Sequence, residues 1–339
     1  MIRFALLGCG RIGRVHADSI DVHPRAELAW VYDPIESAAT EIAKRYGTTI
    51  APAVEVAIND PSVDAVVIAS ATPTHVDLLT RAVWAGKAVL CEKPIDLDLA
   101  RVDQCWKEIA ALNPTVMIGF NRRFDPSFRE VHERIAGGEI GRLEQLTIVS
   151  RDPDPAPREY LAVSGGLFRD MTIHDFDLTR FFLGEVAEVY AMGSNLVADY
   201  IAELGDIDGA VVVMRGADGA LCQITNCRRS VFGYDQRLEA FGSAGMLSVG
   251  NQHTTSVRLS NATQTEAAPE YFNFFLDRYT PAYRAELDHL ITAMEQGSQP
   301  SPGFADGREA LALADAALES LQTGRTVPLG SSHRRETAV

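Results

Sequence analysis

Asp170 and His174 stand four residues apart at the head of an apolar-periodic stretch that runs to Leu183 and stops at Gly184. On an α-helix that spacing puts both side chains on one face, where they can meet. A carboxylate beside an imidazole favours the ring's charged form and fixes its orientation, which suits a general base taking a hydroxyl proton near neutral pH. Plainer readings exist: Asp170 as a helix N-cap or first-turn acid, His174 as a satisfied core histidine. Asp175 and Asp177 read as solvated or structural partners within the same helix. Lys93 is the third candidate. It follows the apolar run 87–91 in Glu92-Lys93-Pro94, at a strand's carboxyl end, where open α/β sheets bind ligands; the alternative is a solvated surface lysine. Asp, His and Cys91 can in principle hold zinc, but ligand-type spacing is otherwise absent and no metal is expected.

The elements that must position these groups begin at residue 2. An apolar run (Ile2, Phe4, Ala5, Leu6, Leu7) feeds into Gly8-Cys9-Gly10-Arg11-Ile12-Gly13 and then an amphipathic segment. In such a strand-turn-helix unit Gly8 makes the tight turn, Gly10 lets the backbone approach a pyrophosphate, and Gly13 lets the helix lie close on the strand. The phosphates sit at the helix N-terminus, where unpaired N–H groups and the dipole favour negative charge. A second apolar run, 26–31, ends at Tyr32-Asp33, about twenty residues beyond Gly13, and places Asp33 to accept hydrogen bonds from a ribose diol. No Arg or Lys is adjacent to neutralise a 2′-phosphate, so NAD is expected over NADP.

Strands at 64–69, 87–91 and 115–119 alternate with helices at 35–46, 53–58, 73–85 and 99–112, the pattern of a doubly wound parallel sheet. The end of the run 64–69 puts Ala71, Thr72 and Pro73, with His75 just beyond, and the end of the next puts Glu92 and Lys93, in the cofactor crevice; a bare helix-start turn at Thr72-Pro73 is the rival reading. Helices are then expected over 124–136, 170–183, a stretch reaching about 296, and 305–323. Strands are expected at 143–150, 186–195, 209–215, 219–227, 236–241, 245–249 and 254–259, as in a hairpin-built sheet. Residues 152–157 read as a loop, and 330–339 as a disordered tail.

Composition narrows the partners. The 339 residues carry 31 Lys and Arg against 46 Asp and Glu, a formal charge of −15, which disfavours nucleic acid and anionic membrane surfaces. The cysteines Cys9, Cys91, Cys105, Cys222 and Cys227 are odd in number and lack paired spacing, pointing to reduced thiols and a cytoplasmic protein. No signal-like or membrane-spanning run is expected.

With Gly8 to Gly13, Asp33, Glu92-Lys93-Pro94, the segment from Gly119 to Asp125 and the segment from Asp170 to Asp175 in place, nearly the whole chain resembles the glucose-fructose oxidoreductase and inositol dehydrogenase (Gfo/Idh/MocA) family, NAD(P)-dependent enzymes of sugars and polyols. Within it, Gly233-Tyr234-Asp235-Gln236 and Arg151-Asp152-Pro153 look most like the inositol 2-dehydrogenases. The resemblance implies an N-terminal Rossmann domain (1–121), and a C-terminal α+β domain (122–329) with an open, mostly antiparallel sheet, carrying the substrate site and tetramer contacts. It implies oxidation of myo-inositol to its 2-keto form, with His174 as base, Asp170 orienting it and Lys93 on the reacting oxygen. Asn121, Arg122, Asp152, Tyr234 and Tyr283 would contact substrate; Tyr234 reads equally as core. Asp152 stands where some inositol dehydrogenases have Asn, which leaves open which hydroxyls are held. The alternatives are another inositol isomer, a polyol or a pyranose as substrate, or a non-catalytic NAD-binding regulator.

Overall fold

The structure is a computed structural model and describes residues 1–329; the expected tail, 330–339, lies outside the described residues. By proximity the described chain divides into two units, Met1–Asp125 with Tyr279–Leu311, and Pro126–Arg278 with residues 312–329. A contiguous division after residue 121 does not anticipate the return of 279–311 to the first unit. Apolar periodicity marks helices, but not the layer on which a helix packs.

In the first unit the chain runs β1 (Ile2–Leu7), α1 (Arg11–Asp21), β2 (Ala26–Tyr32), α2 (Glu36–Tyr46), β3 (Thr49–Ile50), α3 (Val54–Asn59), β4 (Ala65–Ile68), α4 (His75–Trp84), β5 (Ala88–Cys91), α5 (Leu99–Ile109) and β6 (Val116–Ile118). The strands form one parallel sheet in the order β3-β2-β1-β4-β5-β6. Its central strands are apolar without alternation because helices cover both faces: all four residues of β4 and of β5 are buried. All carboxyl ends lie at one edge. The order reverses between β1 and β4, so the turns after these two strands flank the crevice where such sheets take a ligand.

The second unit contains α6 (Pro126–Ala136), β7 (Leu143–Arg151), α7 (Arg158–Leu161), α8 (Ile173–Leu183), β8 (Val186–Ser194), α9 (Asp199–Glu203), β9 (Gly209–Gly216), β10 (Leu221–Cys227), β11 (Asp235–Gly242) and β12 (Gly245–Val249). The helices α10 (Phe275–Gln296) and α11 (Phe304–Thr323) and the short strand β13 (Val327–Pro328) complete the described chain. The second sheet has the order β12-β11-β7-β10-β9-β8-β13 and is antiparallel except for the β7–β10 pair. Strand alternation turns Leu146, Ile148, Val212, Ile224 and Leu238 toward a core shared with Phe128 of α6, Phe176 of α8 and Leu313 of α11. The opposite face leaves Val211, Val213, Leu221, Phe241 and Met246 exposed.

Two expected elements differ. The strand expected at 254–259 is absent: His253 and Leu259 make single bridges to Tyr271 and Ala267, and the segment is exposed throughout. Its β-branched residues have no face to bury, so composition alone builds no ladder. The helix expected from 170 starts instead with a π-helical turn, Phe168–Thr172, and becomes α-helical at Ile173. A π turn is wider, so the regular α-helical hydrogen-bond ladder begins only after it.

Candidate active site

The candidate residues fall in both units, and each group is built within its own. In the first, the turn after β1 is shaped by steric necessity. Gly8 has φ +101°, and a Cβ there would come within 2.5 Å of the Ala69 carbonyl; a Cβ on Gly13 would come 2.0 Å from the Gly8 oxygen. At Gly10 a Cβ would meet nothing within 4 Å. The open space is therefore at the glycine that faces the start of α1. That helix begins with Gly10 as its N-cap, has no side-chain cap and carries no acid in its first turn, which leaves its N–H groups and positive end available to an anion. Arg11, Ile12 and Gly13 supply those first N–H groups.

Asp33 follows β2 and is anchored by the backbone: Cys9 N–H donates to Oδ2 at 2.7 Å and Ile35 N–H to Oδ1 at 2.8 Å. Each carboxylate oxygen retains a lone pair, which fits a ribose diol. Burial, reinforced by the Asp33 charge and only partly offset by Arg14, pushes the Cys9 thiol up to about 12, so it stays protonated in this turn. A bare helix N-terminus, a glycine cradle and an anchored carboxylate together fit a dinucleotide.

After β4, Ala71, Thr72 and Pro73 lead into a 3-10 turn, Thr72–Thr74, where the Thr74 hydroxyl donates to Ala71 O at 2.8 Å. His75, expected to touch the cofactor, is buried, with Nδ1 2.8 Å from Pro94 O and Nε2 3.0 Å from Ser70 O. Its ring joins two strand-end turns. Glu92 is buried as well and accepts from His16 Nε2 at 2.8 Å. Lys93 follows it at the end of β5, and Asn121 and Arg122 follow β6 in a short 3-10 turn; both are buried, and the Arg122 guanidinium lies 5.7 Å from the Tyr279 ring centre. Tyr283 of α10 is buried edge-on to His16, with ring centres 5.7 Å apart.

In the second unit Asp170 lies in the π turn and His174 is the second residue of α8. Both Asp170 oxygens accept from residues the sequence did not single out: Oδ1 from the Tyr160 hydroxyl at 2.7 Å and Oδ2 from Arg228 Nη1 at 3.1 Å. Burial opposes the Arg228 charge, but Asp170, Asp206 and Asp152 outweigh it and hold the guanidinium above its ordinary pKa. Asp152 is thus part of the field at Arg228. Tyr234 is buried, and its N–H donates to Phe272 O at 2.9 Å.

Asp175 is fully buried and not solvated. It accepts from Ser150 Oγ and Asn226 Nδ2, each at 2.7 Å, and Asn226 Oδ1 accepts from the Thr172 hydroxyl at 2.6 Å. These bonds tie the head of the segment carrying Asp170 and His174 to β7 and β10. Sequence reasoning missed His16, Tyr160, Arg228 and Asn226. Only His16 left a signal, as a polar residue within the buried stripe Gly13, Ala17, Ile20 of α1.

Comparison with known proteins agrees with this architecture. Residues 2–120 match the family described as "Oxidoreductase family, NAD-binding Rossmann fold", and residues 128–248 match "GFO/IDH/MocA C-terminal domain". The chain is 44% identical to the inositol 2-dehydrogenase of Rhizobium meliloti (strain 1021), over 97% of this chain and 99% of that protein. It is 43% identical to the myo-inositol 2-dehydrogenase of Thermotoga maritima, over 97% and 98%. The crystal structure of a myo-inositol dehydrogenase from Corynebacterium glutamicum superposes with a TM-score of 0.95 at 51% identity, covering 97% of this chain and 99% of that one. With a glycine cradle, an anchored Asp33 and both domains matched, the chain belongs to the Gfo/Idh/MocA family of NAD-binding oxidoreductases.

Proposed function

We propose that the protein is an NAD-dependent inositol dehydrogenase that oxidises myo-inositol at C2 to the 2-keto product, scyllo-inosose. The observation that carries the reading is the likeness to inositol 2-dehydrogenases across both domains, at an identity well above what the fold alone requires. The side chains supply chemistry that fits. His174 takes the proton of the reacting hydroxyl, Asp170 orients it, and Lys93 donates to the same oxygen as negative charge grows there. NAD, when bound, supplies the acceptor for the electron pair that leaves with the carbinol hydrogen. Asn121, Arg122, Asp152, Tyr234 and Tyr283 are the proposed substrate contacts.

A second reading, another inositol isomer, a polyol or a pyranose as substrate, is favoured by one feature. Asp152 carries a charge and lies in the field of Arg228, so the hydroxyls it selects differ from those an amide would select. We further infer a homotetramer in the cytoplasm, serving inositol catabolism. The exposed apolar face of the second sheet, with Val211, Val213 and Phe241, supports self-association, and the five free cysteines support a reducing compartment. Sedimentation reads the assembly directly.

A panel of inositol isomers and aldoses, followed by NADH absorbance, tests the activity. Myo-inositol is expected to give the highest kcat/KM, and Lys93→Met and His174→Asn to lower turnover by about 10²- to 10⁴-fold while NAD affinity stays within about threefold. Failure of every cyclitol and sugar to reduce NAD would end the proposal.

A further inference from the structure

His16 is an anomaly in α1. It lies on the buried stripe with Gly13, Ala17 and Ile20 and is 1% exposed, yet it is an imidazole where a leucine would pack. Its Nε2–H donates to Glu92 Oε1 at 2.8 Å, while its Nδ1 is buried with no hydrogen-bond partner among the described residues. The Glu92 side chain occupies the space left by Gly119: a Cβ there would come 3.0 Å from its carboxyl carbon. Replacing a buried polar pair by hydrocarbon is often neutral or stabilising, so stability does not explain why this position holds a histidine.

Position explains it. The helix that carries His16 is the one whose N-terminus receives the dinucleotide phosphates, and Glu92 immediately precedes Lys93. The other flank of the same turn is held by His75, whose Nδ1 lies 2.8 Å from Pro94 O. Lys93 is therefore bracketed by two buried histidines, each 1% exposed, one on the residue before it and one on the residue after it. Tyr283 closes the outer side of His16 edge-on. We propose that His16 is a positioning residue, which acts through Glu92 to set the backbone from which Lys93 reaches the reacting oxygen and to keep that turn in register with the phosphate-binding helix. This rests on the reading of Lys93 given above.

The test compares His16→Leu, His16→Gln and His16→Asn with Lys93→Met in the full-length protein. Gln carries an amide N–H at about the place of the imidazole Nε2–H; Asn is too short to reach Glu92. His16→Leu and His16→Asn are expected to lose about 100-fold in kcat, with KM for the polyol and NAD affinity within about threefold, and His16→Gln to recover to within about fivefold of wild type. A purely structural role would lower melting temperature and all kinetic constants together, without separating Gln from Asn. If His16→Leu does not fold, the Gln and Asn pair decides. Equal losses in Gln and Asn, or wild-type kcat in Asn, would overturn the proposal while an inactive Lys93→Met leaves the lysine in its role. A fully active Lys93→Met would instead overturn the reading of Lys93, and this inference with it.

Discussion

Arg228 donates through Nη1 to Asp170 Oδ2 at 3.1 Å with its side chain almost wholly out of solvent. A charge so deeply buried persists only where opposite charge surrounds it, and Asp170, Asp206 and Asp152 do so. Removing one member of such a group costs more than the group contributes, because the remaining charges are left uncompensated. Arg228→Met is therefore expected to destabilise the protein by about 3–5 kcal/mol in denaturant unfolding. Asp170→Asn, which keeps the shape and both polar contacts in altered form, is expected to fold and to lose about 100-fold in kcat. A stable and fully active Arg228→Met would show that the cluster neither holds the fold nor sets Asp170 for its proposed orienting role.

The glycine cradle allows two alanine substitutions with opposite outcomes for the fold. Gly13→Ala brings a Cβ to 2.0 Å from Gly8 O and is expected to displace the turn, lowering both melting temperature and NAD affinity. Gly10→Ala meets nothing within 4 Å and should leave the melting temperature unchanged while weakening NAD by about tenfold, since the methyl enters the space a pyrophosphate needs. Fluorescence titration with NAD beside a thermal melt separates the two. Unchanged affinity in Gly10→Ala would place the phosphates elsewhere.

Asp33→Ala removes the acceptor of two backbone N–H groups as well as the proposed ribose contact. About 1–3 kcal/mol of stability should be lost, chiefly because the N–H of buried Cys9 is left unmatched, while the exposed Ile35 N–H turns to water. Steady-state kinetics should give a higher KM for NAD and a smaller preference over NADP, because the carboxylate that repels a 2′-phosphate is gone. Identical kinetics with both cofactors before and after the change would remove Asp33 from cofactor selection.

Two buried thiols make the fold sensitive to alkali. Burial is the main cause at both, with Asp33 adding to it at Cys9 and Asp175 at Cys222, where the hydrogen bond between Cys222 and Thr179 opposes it; each is raised from 9.0 to about 12. The folded chain keeps these protons while the unfolded chain gives them up, so their stabilisation is complete below about pH 9 and is lost as pH rises toward 12. Urea midpoints should fall more steeply over that window for wild type than for a Cys9→Ala, Cys222→Ala double variant. Parallel slopes would contradict the burial argument.

Much of the first unit was legible in the string because its signals are local. The strand, turn, helix and acid from Ile2 to Asp33 lie within one short stretch, and an uninterrupted apolar run such as 65–68 is what a strand covered on both faces requires. The strand expected at 254–259 failed for the complementary reason: β-branched residues state a preference, and only a neighbouring strand and a buried face turn it into a ladder. The π turn at Phe168–Thr172 was likewise invisible, since apolar spacing does not separate it from an α-helical turn.

The sequence by itself determined the parallel nucleotide-binding sheet, the glycine cradle and the identity of Lys93, Asp170 and His174 as chemically able groups. Tertiary structure alone decided which distant side chains meet beside them: His16 with Glu92 across 76 residues, and Arg228 with Asp170 across 58. Hydrophobic periodicity is a property of neighbours along the chain. The company a buried charge keeps is set only when distant segments lose their water together.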